Sequence, residues 1–217
     1  MKNNSRYSRI LLSQFCVICF MLILAIPAAA EEETLGKYSS AIRPGHKDKP
    51  TTINIGIAVV DIDTIDGADQ SFRANFVISM NWEDPRLAKT TSTMSKLDLK
   101  EVWNPGLQIV NQQKLFKTFP DTVEISPEGT VNYKQRYWGT LSHPMNLREF
   151  PFDHHSLHIK IVAAGWNSDD IKFVIVADRT GLGERLTVTD WNIVGWEAST
   201  ESIIIGKGLP VFPGAIF

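Results

Sequence analysis

An all-β fold, a β-sandwich of about nine to ten strands, is what this sequence predicts. Three observations carry that expectation. Apolar and polar residues alternate with period two over several short stretches. Those stretches are separated by Gly, Pro, Asn and Asp. Beyond residue 30 no segment sustains a helical period. Short strands punctuated by turns bury their apolar faces as two facing sheets, an immunoglobulin-like arrangement.

The first thirty residues stand apart. Lys2, Arg6 and Arg9 precede an apolar run from Ile10 to Ile26, followed by Pro27-Ala28-Ala29-Ala30. That order predicts a secretory signal peptide over 1–30, cleaved after Ala30. Ser13 and Gln14 shorten its apolar core below a comfortable membrane span. Both cysteines, Cys16 and Cys19, lie inside it, so the exported chain is expected to hold no disulfide, thiol nucleophile or cysteine metal site. Taking the leader's three basic residues from 22 leaves 19 against 24 acidic ones, a formal charge of −5. No basic patch argues for nucleic acid. After the leader no apolar run reaches membrane length.

Residues 31–51 are polar and read as a tail or linker, in which Leu35, Tyr38 and Ile42 are spaced for a short helix. The sandwich is expected over 52–217. Ile53, Ile55, Ile57 and Val59 alternate with smaller or polar residues until Asp61 and Asp63 break the apolar face. Ile65-Asp66-Gly67-Ala68-Asp69 carries the Asp-Gly chemistry of a hairpin turn. In the return strand Phe72, Ala74, Phe76, Ile78, Met80 and Trp82 face one way, and Arg73, Asn75, Val77 and Ser79 the other. That is one dry face and one wet face. Trp82 is followed by a polar corner in which Asp84 and Arg86 can pair. Lys89–Lys100 reads as a loop, and Val102–Leu107, with Trp103 and Pro105, follows it. Thr122–Ile125 and Thr130–Gly139 form a hairpin around Ser126-Pro127-Glu128-Gly129.

Pro151 then enforces a bend at Phe150-Pro151-Phe152-Asp153. A half-buried strand continues through Leu157, Ile159, Ile161 and Ala163. Ile171–Ala177, apolar on both faces, reads as a central strand; Arg179–Glu184 reads as a loop. Leu186–Ala198 reads as one more strand, with Trp191 and Trp196.

Several of these segments, in order, resemble one family. The Phe150-Pro151-Phe152-Asp153 turn resembles the signature loop of pentameric ligand-gated ion channels, the Cys-loop receptor superfamily. The flanking positions carry no cysteine, as in its bacterial branch. Trp82-x-Asp84-x-Arg86-Leu87, Gln70, Trp103-x-Pro105 and Gly129–Tyr133 match the family's pattern, so the resemblance spans about Ile53 to Trp196. It implies five copies in a ring, a homopentamer, with a small-molecule ligand held between neighbours. Family sites hold an ammonium through cation–π attraction. Here the matching positions carry Val77, beside Ser79, and Val110, beside Asn111, with Trp166 two residues past the third aromatic position. Those five and Trp191 are the candidate ligand contacts. Coupling to a pore is implied for the Ile65–Asp69 and Asn146–Asp153 loops, with Asp66, Phe150, Pro151, Phe152 and Asp153 as the candidate residues. Phe152 would pack on membrane helices and Asp153 would pair with a base near them.

Protons are the alternative stimulus. Asp61, Asp63, Asp66 and Asp69 crowd the first hairpin, and mutual repulsion would raise their pKa values; a solvated acidic turn is the plainer reading. A divalent cation could use the same carboxylates. Asp153-His154-His155-x-x-His158 raises a zinc site, but on a strand His154 and His158 stand roughly 13 Å apart with His155 on the opposite face. No metal site, cofactor or enzyme activity is expected: Gly-x-Ser-x-Gly is missing, and the Gly181-x-Gly183 loop precedes a strand, so it cradles no phosphate. Toward the end, Pro210 and Pro213 interrupt the last apolar run, so the final strand is expected to be incomplete and no membrane domain follows. The chain thus reads as an exported extracellular ligand-binding domain, membrane-associated if a full-length channel exists. The competing reading is a stand-alone secreted β-sandwich that binds a small molecule or sugar.

Overall fold

The structure, a computed structural model, describes residues 38–45, 49–89, 93–146, 148, 152–184 and 186–217. The expected signal peptide, both cysteines, Phe150 and Pro151 lie outside the described residues. Ser39–Phe217 forms one unit. Its strands are β1 (Thr51–Asp66), β2 (Ser71–Glu83), β3 (Ser95–Asp98), β4 (Leu107–Ile109), β5 (Gln112–Lys117) and β6 (Thr122–Ile125). They continue as β7 (Thr130–Ser142), β8 (Lys160–Ala163), β9 (Ile171–Ile175), β10 (Gly181–Leu182), β11 (Ser199–Ile204) and β12 (Val211–Ile216).

The alternation in β1 and β2 is what folds them. Ile53, Ile55 and Ile57 are buried, as are Phe72, Ala74, Phe76, Ile78, Met80 and Trp82 on the paired strand. Two register shifts, between Val59 and Asp61 and between Ile62 and Thr64, break the alternation of β1. They leave Val60 exposed while Ile62 is buried again, the usual effect of a bulge. β2 pairs with β7 from Ser71↔Ser142 to Glu83↔Thr130. The larger sheet runs β10-β1-β2-β7-β6-β3, with β5 on β7 and β9 on β1; the smaller runs β11-β12-β8-β4. The all-β sandwich expected from sequence is therefore the fold.

The strand inventory differs from expectation in several places, among them β10, which pairs with β1 inside the Arg179–Glu184 segment read as a loop. β3 forms inside the segment read as a loop, pairing Ser95–Asp98 with β6. β5, whose sequence QQKLFK is mostly exposed, is held by β7 alone, so no buried face announced it. It lies so close to β7 that a Cβ at Gly139, where φ is +145, would come within 2.0 Å of the Lys114 carbonyl oxygen. Residues 186–198 form no strand; Val188 and Ile193 pack on the core, but the backbone finds no ladder. β9 pairs only with β1, in parallel, so it is not a central strand.

The end of the chain is the largest correction. β12 is a full strand with β11 on one side and β8 on the other. Pro213 does no damage because β8 pairs β12 only over Gly214–Ile216, beyond the proline. Gly214 is needed there, since a Cβ would approach the Ile203 side chain to 2.4 Å. Nor are residues 39–45 a free tail. Arg43 donates to the Lys49 carbonyl and to Thr51, and Arg86 donates to the Ile42 carbonyl.

The corner after β2 carries one buried charge. Asp84 is fully buried at the start of the Pro85–Leu87 3-10 turn, and both its oxygens accept from Arg86 at 2.8 Å. Trp82, next to it, meets Trp103 edge-on at 5.9 Å. Removing one partner of a buried pair leaves the other uncompensated. Asp84→Ala is expected to lower stability by about 3 kcal/mol, read as a lower urea midpoint with unchanged slope. A loss within measurement error would show that the corner does not hold the fold.

Candidate functional site

The six expected ligand contacts separate. Val77 is half-buried on the outer face of β2, between Ala58 of β1 and Arg136 of β7. Ser79 is not on a wet face. It is 9% exposed because the Ala177–Arg179 turn covers it: a Cβ at Gly56 would sit 2.6 Å from Arg179 and 3.0 Å from the Ser79 hydroxyl. Val110 is half-buried and donates its N–H to the Lys160 carbonyl. Asn111 is a structural staple. Its amide donates to the carbonyls of Ser142 and His158, and its side-chain oxygen accepts from the Lys160 N–H. Trp166 stacks edge-on against Trp103 at 5.6 Å, the outermost ring of a chain that starts at Trp82. Pro105 is buried. Because Trp82 points into the core and Val77 out of it, one chain alone does not bring Trp166 to the Val77 face. Trp191 lies elsewhere, 5.8 Å from the His155 ring.

Of the expected coupling residues, Asp66 caps its own turn, accepting from the N–H groups of Ala68 and Asp69 at 2.9 and 3.0 Å. Phe152 is 83% exposed. Asp153 faces inward, its side chain 6% exposed, and shares a hydrogen bond of 2.5 Å with His155 Nε2. The crowded aspartates do not behave as repulsion predicts at Asp61. Burial raises its pKa, but hydrogen bonds from Thr187 and from the Ile62 N–H outweigh that and leave it below the ordinary carboxylate value. Asp63 accepts from the Trp138 indole instead.

The geometry gathers residues that the sequence reading kept apart. His143 lies 6.0 Å from His155 and 5.9 Å from His158, ring centre to ring centre. Expecting His155 to point away from His158 assumed that strand alternation runs through both. Exposure alternates from Phe152 to Leu157, with His154 out and His155 in, but the alternation breaks at His158, which is also half-buried. His143 was missed altogether; the Ser142-His143-Pro144 step at the end of β7 was its only trace in the sequence. The three rings border an open pocket of about 350 Å³ between His143–Asn146 and Asp153–Ser156, with the exposed His154 at its rim. The cluster also touches both expected coupling loops. The His143 N–H donates to the Gln70 carbonyl at 2.8 Å, and the Gln70 amide donates to the Met145 carbonyl at 3.3 Å. Among the described residues no group of three or more His, Cys, Asp or Glu is placed to hold a metal ion.

Burial lowers the pKa of His143, and the neighbouring His158, His155 and Lys160 lower it further. Burial and then Lys160 lower that of His158, against the opposite pull of Glu197 and Glu201. Both therefore contribute stability that is fully present above 6.5, the ordinary imidazole value, and is lost as pH falls through their depressed values. The urea midpoint is expected to hold level above pH 6.5 and to drop below it. A His143→Asn/His158→Gln double variant should flatten that drop. An identical pH profile in the double variant would overturn the assignment.

Comparison with known proteins joins this geometry. Residues 29–204 match the model of the neurotransmitter-gated ion-channel ligand binding domain. The chain is also similar to a proton-gated ion channel of Gloeobacter violaceus, 26% identical over 159 residues. That stretch is 71% of this chain and 44% of the relative, so the chain spans less than half the relative's length. With the β-sandwich, the Trp82–Arg86 corner and the Phe152-Asp153 loop in the expected order, this chain belongs to the neurotransmitter-gated ion-channel ligand-binding domain family, in its bacterial type.

Proposed function

We propose that this chain is the extracellular sensing domain of a pentameric ligand-gated ion channel. It is exported by its first thirty residues and binds a small ligand, or protons, between neighbouring copies. It passes the signal to a pore through the Ile65–Asp69 and Asn146–Asp153 loops. The observation that carries the reading is the backbone tie between Gln70, next to the first loop, and His143, just ahead of the second. Two loops held together can move as one. Phe152, almost fully exposed, supports the same reading, because a large apolar side chain at a loop tip needs a partner surface. No helix among the described residues is long and apolar enough to cross a membrane, so in this proposal the pore lies outside them.

Assembly separates this reading from a stand-alone binding module. Val77, on the outer face of β2, would meet the Val110/Trp166 edge of a neighbour. Sedimentation of the exported chain is expected to give an oligomer, and Val77→Asp a folded, smaller species with an unchanged circular dichroism spectrum. A monomer in both cases would favour the independent module. Coupling is tested by joining the domain to the membrane part of the Gloeobacter channel and recording currents. Phe152→Ala is expected to cut the current response about tenfold or more, as for loss of one buried aromatic contact. An undiminished response would remove Phe152 from the coupling path.

A further inference from the structure

We propose that His143 and His158, with the His155 ring packed against His143, form a proton-binding site within each subunit, and that its occupancy controls how closely the two arms of the signature loop are held together, and with them the β1–β2 turn that His143 carries. This deepens the reading above by naming a ligand and a site, and it rests on that reading for its consequence at a pore.

The three rings belong to two different segments. His143 ends β7 and is tied through its backbone to Gln70 of the β1–β2 turn. His155 and His158 follow the signature loop, and His155 is bound to Asp153 of that loop. The contacts of His143 with His155 and His158 therefore join the two arms of the Asn146–Asp153 loop, and the arm that holds His143 carries the β1–β2 turn through Gln70. Neutral imidazoles pack at these distances without cost. Two imidazolium ions about 6 Å apart at the partly buried wall of the pocket repel each other. Proton uptake is thus relieved by moving His143, with the turn it holds, away from the other pair.

Each surrounding charge has a definite part. Lys160, on β8, adds to the repulsion at both His143 and His158. Glu197, ahead of β11, and Glu201, within it, favour charge on His158. Asp153 faces His155 and holds it to the signature loop. Phe72, of β2, closes the site on the side of His143 with an edge-on ring at 6.4 Å. The pocket between the two segments gives protons a path from solvent. His154 lies exposed at its rim.

The test is a pH titration of the full exported chain by NMR, following the histidine ring signals and the backbone amides together. The expected result is that His143 and His158 titrate below the ordinary imidazole value. The amides of Asp66–Gln70 and of Phe152–Asp153 should shift with the same midpoint as the His143 ring. In His158→Gln the His143 midpoint should move upward, since one like charge has gone. His143→Asn, read at His158, is the reciprocal variant if His158→Gln does not fold. Ring titration without any amide shift in the two loops would overturn the link, and the wild-type chain alone decides that. A His143 midpoint unmoved in a folded His158→Gln variant would overturn the shared site. Neither outcome bears on whether the loops drive a pore, which the current recordings decide separately.

Discussion

The ladder between β2 and β7 is the constraint on which the rest of the structure depends. Every residue of β2 from Ser71 to Glu83 has a partner on β7, and β1 pairs along its other side. A one-residue slip would turn Phe72, Phe76, Ile78, Met80 and Trp82 out of the core and Arg73, Asn75 and Val77 into it. The register is therefore held by the burial of one whole face. It also decides what lies at each end. Glu83↔Thr130 brings the Asp84–Arg86 corner beside the β6–β7 turn, and Ser71↔Ser142 brings the β1–β2 turn beside His143.

The polar groups follow from that frame. Asp84 is stable inside the protein because Arg86 meets it with two hydrogen bonds and the turn supplies a third from the Arg86 N–H. Gln135, fully buried on β7, is satisfied in a similar way: it exchanges hydrogen bonds with the Phe119 backbone and donates to Asp121. Burial raises the pKa of Asp121, and Tyr133, Lys117 and Gln135 more than reverse it. The histidine cluster is the exception. Its rings lie among like groups and a lysine rather than among acids alone, and burial with these neighbours lowers the pKa of His143 and of His158. A paired carboxylate corner stands at one end of the ladder and the histidine cluster at the other.

The expected ligand residues lie on different parts of one chain. Val77 looks outward from β2, while Trp166 belongs to the tryptophan series that starts in the core. Asn111 and Asp66 hold backbone groups, and Ser79 is covered by a neighbouring segment.

The sequence by itself determined the β-sandwich, the β1–β2 hairpin, the Asp84–Arg86 pair and the family. Each of those rests on local information: period-two burial, Asp-Gly turn chemistry, opposite charges two residues apart, and motifs in order. Only the tertiary structure decided what depends on distant partners. β5 is legible only through β7, because its own face is polar and exposed. β12 is whole because its proline falls outside the β8 ladder. Residues 186–198 alternate as a strand does, yet they join neither sheet. His143 meets His155 and His158 because the chain turns back past the end of the β2–β7 ladder and its alternation breaks at His158, and no spacing along the chain encodes that meeting.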